Sequence, residues 1–594
     1  MLKSKGIERS TIMRKTKIVC TIGPVSDDIE TLCQLIDAGM NVARLNFSHG
    51  DHESHLKTIQ NIRKAEEIKG QWVGIMLDTK GPEIRTHQMQ DGEFTVKTGD
   101  KIAISMEEVV GGKGVISVTY PNLIHELQEG TRILIDDGLI ELEVQDLDEE
   151  KGLIHTISLS QGIIYDKKGV NIPQMNIELP HLTEKDYEDI HFGLFNGINF
   201  IAPSFVRNAE GVLEIREILK HTNHEHVAII PKIENQEGVN NIEEILSVSD
   251  GLMVARGDLG VEIPPERVPI IQKELILKSN QSGKPVITAT QMLDSMQWNP
   301  RPTRAEANDV ANAIYDGTDA VMLSGETASG KYPVEAVETM HRIARSTEDA
   351  ITYSTNHSFN RQDMTEAIGQ AVAHTAKNLD ITTIVANTES GYTARMISKY
   401  RPKAQIVAIT FSKESARNLS LLWGTQAIVA DLPESTDDMF QAAERLVQEY
   451  GYADPGDMFI TTAGVPIGVS GTTNLMRIQT INEQLLQGQG IGNQTITGIA
   501  RIVSSAEEAQ EKAMEGCILV LKSTNREYLP AMQKCSGIIA ERGGLTGHTA
   551  IMALELGKPL IIGATDATKV LEDNQLITLD SRRGIVYAGK AKTI

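Results

Sequence analysis

Eight short apolar runs, each followed at once by polar or charged residues, constrain this chain more than any other feature. Three lie in residues 16–86: "TKIVCTIGP", "NVARLNFSHG" and "WVGIMLDTKGPEIR". Five more follow residue 182: "INFIAPSFV", "VAIIPKIENQEG", "GLMVARGDLG", "PVITATQML" and "AVMLSGETASG". The runs are β-branched or aliphatic and alternate with helical patterns, the signature of parallel βαβ units. Eight such units predict a (β/α)8 barrel, whose reactive groups sit at the C-terminal ends of its strands.

The barrel is interrupted. Residues 87–181 change to a period of two, as in "TRILIDDGLIELEVQDL", and Asp137-Gly138 is a hairpin signal. They predict an all-β domain inserted between strands three and four, placed to act as a lid. The barrel is then expected over 14–86 and 182–352, with "TYSTNHSFNRQD" as a polar connector. An α/β region follows over 361–486, and a strand-rich α/β unit over 488–594. The expected fold class is therefore α/β throughout, apart from the lid.

Composition narrows the chemistry. With 594 residues and a formal net charge of −23, the chain has no general surface for nucleic acid, which needs a basic face. An anionic substrate must be held by a local cluster of cations or metal. Four cysteines without CxxC spacing point to a reducing, cytoplasmic setting. No apolar run reaches membrane-spanning length, the basic N-terminus lacks the apolar core of a signal, and Met13 is a second candidate start.

The strand ends collect the chemistry. Strand two ends with Arg44, Asn46 and Ser48; strand three with Asp78, Thr79, Lys80, Glu83 and Arg85. Lys232 and Glu234 follow strand five, Arg256 and Asp258 strand six, Thr288 and Thr290 strand seven, Ser324 and Glu326 strand eight. Singly, each carboxylate has a plainer reading as a cap or surface ion pair, and Lys232 with Glu234 as a structural pair. Together they converge on one mouth. Glu234 and Asp258, about one βα repeat apart, form a pair suited to Mg2+ beside phosphate. Lys232 points to the same side as Glu234 and suits a phosphoryl group in transfer. Asn46, Ser48, Asp78 and Thr79 offer oxygen alone with one charge, a set closer to a monovalent cation. "GETASGK" fits a P-loop pattern, but Tyr332 stands where Ser or Thr is needed, and "GQGIG" has no strand leading into it. Both read as chance.

These motifs, in this order from about residue 14 to 485, resemble pyruvate kinase. The quoted strand ends carry the likeness, with "NPRPTRAEANDVANAIYDGTDAVMLSGETASGKYP". The final unit is similar to the phosphohistidine (mobile) domain of phosphoenolpyruvate synthase and pyruvate phosphate dikinase. The resemblance implies phosphoryl transfer from phosphoenolpyruvate to ADP, the last step of glycolysis, by a Mg2+ (or Mn2+) and K+ dependent homotetramer. It implies catalytic roles for Lys232, Thr290, Ser324, Arg44 and Arg85, and substrate binding by Arg44, Lys232, Gly257, Asp258 and Thr290. Asn46, His49, Arg85, Lys167 and Lys168 would meet the nucleotide. Glu234 and Asp258 would hold Mg2+; Asn46, Ser48, Asp78 and Thr79 would hold K+, and Glu83 stands where K+-dependent members carry Glu. Pro203, Gln174 and Trp298 depart from the usual pattern without removing a catalytic match.

In "VANTESGYTAR", Thr388, Ser390, Gly391 and Thr393 lie where a strand passes into a helix, a place for an anion. The resemblance implies a phosphorylated effector there, although Glu389 replaces the Lys of some members that bind fructose bisphosphate. His548, in "GGLTGH", matches the phosphoryl-carrying histidine of the mobile domain, with Gly547 in place of a commoner Ser. No ATP-grasp domain accompanies it, so a retained histidine in a structural tail is the plainer reading. Two other classes stay open at this point: a phosphocarrier enzyme working through His548, and an idle sensor of phosphoenolpyruvate.

Overall fold

The computed structural model describes residues 14–112, 114–173, 175, 178–351, 364–465, 473–481, 484–589 and 591. Met13, Gln174 and the connector 352–363 lie outside them. The barrel strands are Lys17–Thr21, Val42–Asn46, Gly74–Asp78 and Phe200–Ala202, a fifth in two pieces, then Leu252–Ala255, Val286–Ala289 and Ala320–Leu323. All neighbours run parallel, and the first strand pairs with both the second and the last. Every residue of most of these strands is buried, as a sheet covered on both faces requires.

Strand five closes the ring and breaks at Pro231. Its first piece, Ala228–Ile229, pairs with strand four, and its second, Lys232–Ile233, pairs with strand six. Proline has no N–H to donate, so the ladder passes over it. The neighbouring groups keep their bonds: Lys232 N–H donates to Pro203 O at 3.0 Å, and Met253 N–H to Pro231 O at 2.9 Å. The helices are capped where the sequence permits, as at Asp51, Thr183 and Thr303, each of which forms a capping box.

The inserted domain holds a seven-stranded and a two-stranded sheet around Ile102, Ile104, Ile133, Ile140 and Ile154. Strand Ile84–Arg85 already pairs with Gly169–Asn171 of this sheet, so the insertion begins before the expected residue 87. Glycine was needed for the hairpin at 136–138, where Asp136, Asp137 and Gly138 all have positive φ.

Beyond the barrel, four parallel strands, Thr383–Asn387, Gln405–Thr410, Thr425–Val429 and Met458–Gly464, carry one antiparallel edge, Thr473–Thr480. Arg401 joins this region to the barrel through Asp319 at 2.9 Å, and Arg417 joins it through Glu66 at 2.6 Å. The last region is an eight-stranded mixed sheet. Its edge strand Gln484–Gln487 pairs with Ile585–Ala588, so it begins a few residues before the expected 488. "GQGIG" falls on strand Gln489–Ile491, with no helix opening on it. Among the described residues no helix is long and apolar enough to cross a membrane.

Candidate active site

Lys232 is the centre of the barrel mouth. Its ammonium lies 3.0 Å from Glu234 Oε1 and 3.1 Å from Asp78 Oδ1, and donates to Ser204 Oγ at 2.7 Å. Arg44 Nε donates to the other Asp78 oxygen at 2.6 Å, and Arg44 also reaches Thr21 Oγ1 at 2.9 Å. Strands two and three set this up, because Asn46 is the register partner of Asp78 and Arg44 that of Met76. Two cations and two carboxylates in a buried cluster satisfy one another, which is the condition for tolerating charge there.

The protonation states follow. Burial works against the Lys232 ammonium, but Asp78 and Glu234 outweigh it and hold its pKa above the ordinary value. Burial likewise opposes the Asp78 carboxylate, and Arg44 with Lys232 reverses the balance and lowers it. Glu234 differs: burial pushes it up to about 7, Lys232 opposes that rise, and the charge of Asp258 adds to it. Its Oε2 accepts from Phe205 N–H at 2.6 Å, which orients the carboxylate, and Phe205 takes φ +55 to do so.

Ser204 is a member that the sequence reading missed. It donates to Thr79 O at 2.6 Å and accepts from Lys232; its backbone N–H donates to Thr79 Oγ1 at 3.1 Å. The signal was available, since Ser204 follows barrel strand four as the other candidates follow theirs. Pro203, beside it, supplies the carbonyl that anchors Lys232. Trp298 is 65 % exposed and away from this network.

Strands six to eight supply a second group. Gly257 N–H donates to Thr290 Oγ1 at 2.7 Å, and that hydroxyl donates to Ala289 O at 2.7 Å. Thr290 has φ +66, a strained setting for a β-branched residue and one concentrated at functional positions. Arg256 holds the strained turn, donating to Thr290 O at 2.7 Å and to both Asp309 oxygens at 2.8 Å. The Ser324 hydroxyl is buried without a hydrogen-bond partner, while its N–H donates to Glu326 at 2.8 Å. Glu326 also accepts from Leu293 N–H at 3.0 Å, so the P-loop look-alike directs a carboxylate at backbone amides where a phosphate cradle would need them free.

Between mouth and lid lies a cavity of about 430 Å3, with Glu83, Arg85, Lys168, Asp136, Asp137 and Asp258 among its walls. Arg85 pairs with Glu83 at 2.7 Å and donates to Lys167 O at 2.6 Å. Lys168 pairs with Asp136 at 2.9 Å, and Lys167 turns at φ +54 with its side chain exposed. Asn171 of the lid donates to Glu262 of the barrel at 3.0 Å. Burial raises Asp137, and the charges of Asp258 and Asp136 add to the rise. Carboxylates thus crowd the cleft at Asp258, whose charge also reaches the buried Glu234. That crowding fits a divalent cation, which would relieve the repulsion and leave its other positions to substrate and water. No group of three or more His, Cys, Asp or Glu side chains is arranged to hold a metal among the described residues. The fit to K+ is looser: Asn46 Oδ1 accepts from Ser48 N–H at 3.1 Å, both Asp78 oxygens already serve Arg44 and Lys232, and Ser48 and His49 are exposed.

Two expected sites stand elsewhere. Thr388 and Thr393 are buried, and the Thr393 hydroxyl meets Thr473 Oγ1 at 2.7 Å, while Gly391 takes φ +83 just before helix Tyr392–Ser398. His548 opens helix His548–Glu555 in the last region and is exposed.

Comparison with known proteins agrees with this arrangement. Residues 13–337 match the family "Pyruvate kinase, barrel domain", 366–479 match "Pyruvate kinase, alpha/beta domain", and 513–584 match "PEP-utilising enzyme, mobile domain". The pyruvate kinase of Sporosarcina psychrophila is 56 % identical over 98 % of this chain and 100 % of its own length. That of Geobacillus stearothermophilus is 55 % identical over the same shares. The crystal structure of a pyruvate kinase from Cryptosporidium parvum superposes with a TM-score of 0.75 at 42 % identity, covering 79 % of this chain and 96 % of that one. With barrel, inserted sheet, mouth and full-length identity in agreement, the chain belongs to the pyruvate kinase family.

Proposed function

We propose that this protein transfers phosphoryl from phosphoenolpyruvate to ADP at the barrel mouth, giving pyruvate and ATP. The observation that carries the reading is the buried, charged Lys232, fixed by Asp78, Glu234 and Ser204 beside Arg44. Phosphoryl transfer is positioning plus charge neutralisation, and these side chains provide both before substrate arrives. Lys232 and Arg44 hold the phosphoryl oxygens; Glu234 and Asp258 would hold Mg2+ or Mn2+. Asn46, Ser48, Asp78 and Thr79 would hold K+, with Asp78 shared with Arg44 and Lys232, and Glu83 stands where K+-dependent members carry Glu. When bound, the cations neutralise phosphate charge and help orient the two substrates. Gly257 and Thr290 bound the enolate, and the uncommitted Ser324 hydroxyl belongs to the chain that delivers its proton. Arg85, His49, Lys167 and Lys168 meet the nucleotide as the lid closes and excludes water.

The wider reading is a cytoplasmic glycolytic homotetramer with a phosphorylated effector on the loop of Thr388, Ser390, Gly391 and Thr393. His548 stays outside the transfer, since the barrel hands phosphoryl directly to ADP. The test is pyruvate release from phosphoenolpyruvate by the full-length chain with Mg2+ and K+, with and without ADP. Continuous turnover that requires ADP supports the kinase. A stoichiometric burst without ADP would move the phosphoryl acceptor onto the protein and refute it.

A further inference from the structure

The loop after barrel strand two, residues 46–50, brings Asn46, Ser48 and His49 to the mouth, and beyond Asn46 it has no helix or strand of its own. Ser48, His49 and Gly50 are exposed, whereas Phe47 is buried. Two helices grip it. From helix His52–Lys69, the His55 ring stacks on Phe47 with centroids 4.0 Å apart, and His55 Nε2 meets His49 O at 2.9 Å. From helix Glu184–Phe195, Lys185 Nζ donates to Phe47 O at 3.0 Å. One carboxylate joins the two helices. Asp189 Oδ2 accepts from Lys185 Nζ at 2.5 Å, and its Oδ1 lies 2.7 Å from His52 Nε2. The His52 ring is stacked in turn on Phe192, with centroids 4.3 Å apart.

The Asp189 carboxylate is buried, and burying a carboxylate is costly unless it is paired. Neither of its partners belongs to the cluster around Lys232; both belong to the supports of the loop. The Lys185 ammonium divides its donors between Asp189 and Phe47 O, so Asp189 fixes the direction of the donor that holds the loop. The same helical turn also meets the lid: Asp186 accepts from Gly81 N–H at 3.0 Å, where the chain leaves the barrel for the inserted sheet. Loop and lid entry are thus held by neighbouring residues. Lys232, Arg44 and Thr290 have supports of their own, whereas His49 depends on this loop, and small misplacements of a positioning group are costly. We propose that Asp189 is a positioning residue for the nucleotide, holding loop 46–50 through Lys185 and His52 so that Asn46 and His49 meet ADP. The inference rests on the function proposed above and adds to it a group that touches neither substrate.

The experiment is steady-state turnover of the full-length protein at saturating Mg2+ and K+, with ADP and phosphoenolpyruvate varied in turn. In Asp189→Asn, which keeps the shape and removes the charge, the KM for ADP is expected to rise about tenfold, the scale of one charge-assisted hydrogen bond. The changes in kcat and in the KM for phosphoenolpyruvate should be smaller. Lys185→Met should act in the same way and serves where the Asp189 variant does not fold, because its side chain is 45 % exposed. Lys185→Arg should recover part of the loss. Wild-type turnover with the ratio of the two KM values unchanged in both variants, or no recovery in Lys185→Arg, would overturn the positioning role alone. Absence of ADP-dependent turnover in the wild type would overturn the function proposed above, and this inference with it.

Discussion

Replacing Lys232 with methionine keeps the stem and removes the charge. The side chain is 11 % exposed, and its ammonium touches Asp78, Glu234 and Ser204 together. Deleting a preorganised donor of this kind costs about 3 kcal/mol of transition-state stabilisation, which is about a hundredfold or more in turnover. The fold also responds, because removing one partner of a buried pair costs about 3–5 kcal/mol. Asp78 retains Arg44 at 2.6 Å and is protected. Glu234, already raised to about 7 by burial, loses its counter-charge and rises further. Its folded pKa then stands well above the unfolded value of about 4.3. The folded variant holds the extra proton across that interval, so its stability is retained at low pH and lost as pH rises through the folded pKa. Steady-state turnover with phosphoenolpyruvate and ADP tests the first expectation. Melting temperatures at about pH 6 and about pH 8 test the second, with the gap from wild type widening at the higher pH. Turnover within tenfold of wild type, or a melting gap that does not change with pH, would refute the argument.

Other outcomes follow from the same geometry. Divalent-metal affinity of the substrate-free protein should weaken about tenfold per pH unit below about 7, because Glu234 must first lose its proton; Mn2+ titrations across that range, with Glu234→Gln as the flattened control, measure it. Ser204→Ala should lower turnover about tenfold, the scale of one hydrogen bond to a charged group, with partial recovery in Ser204→Thr. His548→Ala should keep ADP-dependent turnover at the wild-type level, and phosphoenolpyruvate carrying labelled phosphate should leave no label on either protein. Arg401→Ala removes a bidentate pair to Asp319 at the interdomain seam and should lower the melting temperature while leaving turnover in place.

The barrel was legible because its rule is local. Each apolar run fixes a strand, and the residue after it is at the mouth whatever the distant chain does. Arg44, Asp78, Lys232, Glu234 and Thr290 were found that way. Ser204 obeys the same rule and was passed over because a lone serine after a strand carries no charge to draw attention. The boundary at Ile84–Arg85 was misplaced for another reason: an apolar residue and an arginine extend a buried strand as readily as they begin an inserted sheet. Only pairing with Gly169–Asn171, more than 80 residues on, distinguishes the two.

The sequence by itself determined the order of elements, the lid between strands three and four, and the collection of charge at one end of the barrel. These depend on period, length and adjacency along the chain. The tertiary structure decided which charges neutralise one another: that Asp78 serves both Arg44 and Lys232, that Glu234 is left near neutral pH, and that Thr393 turns inward to Thr473. It also brought Asp189 to His52 across 137 residues of chain. Burial and Coulomb energy depend on distance in space, and folding alone sets that distance.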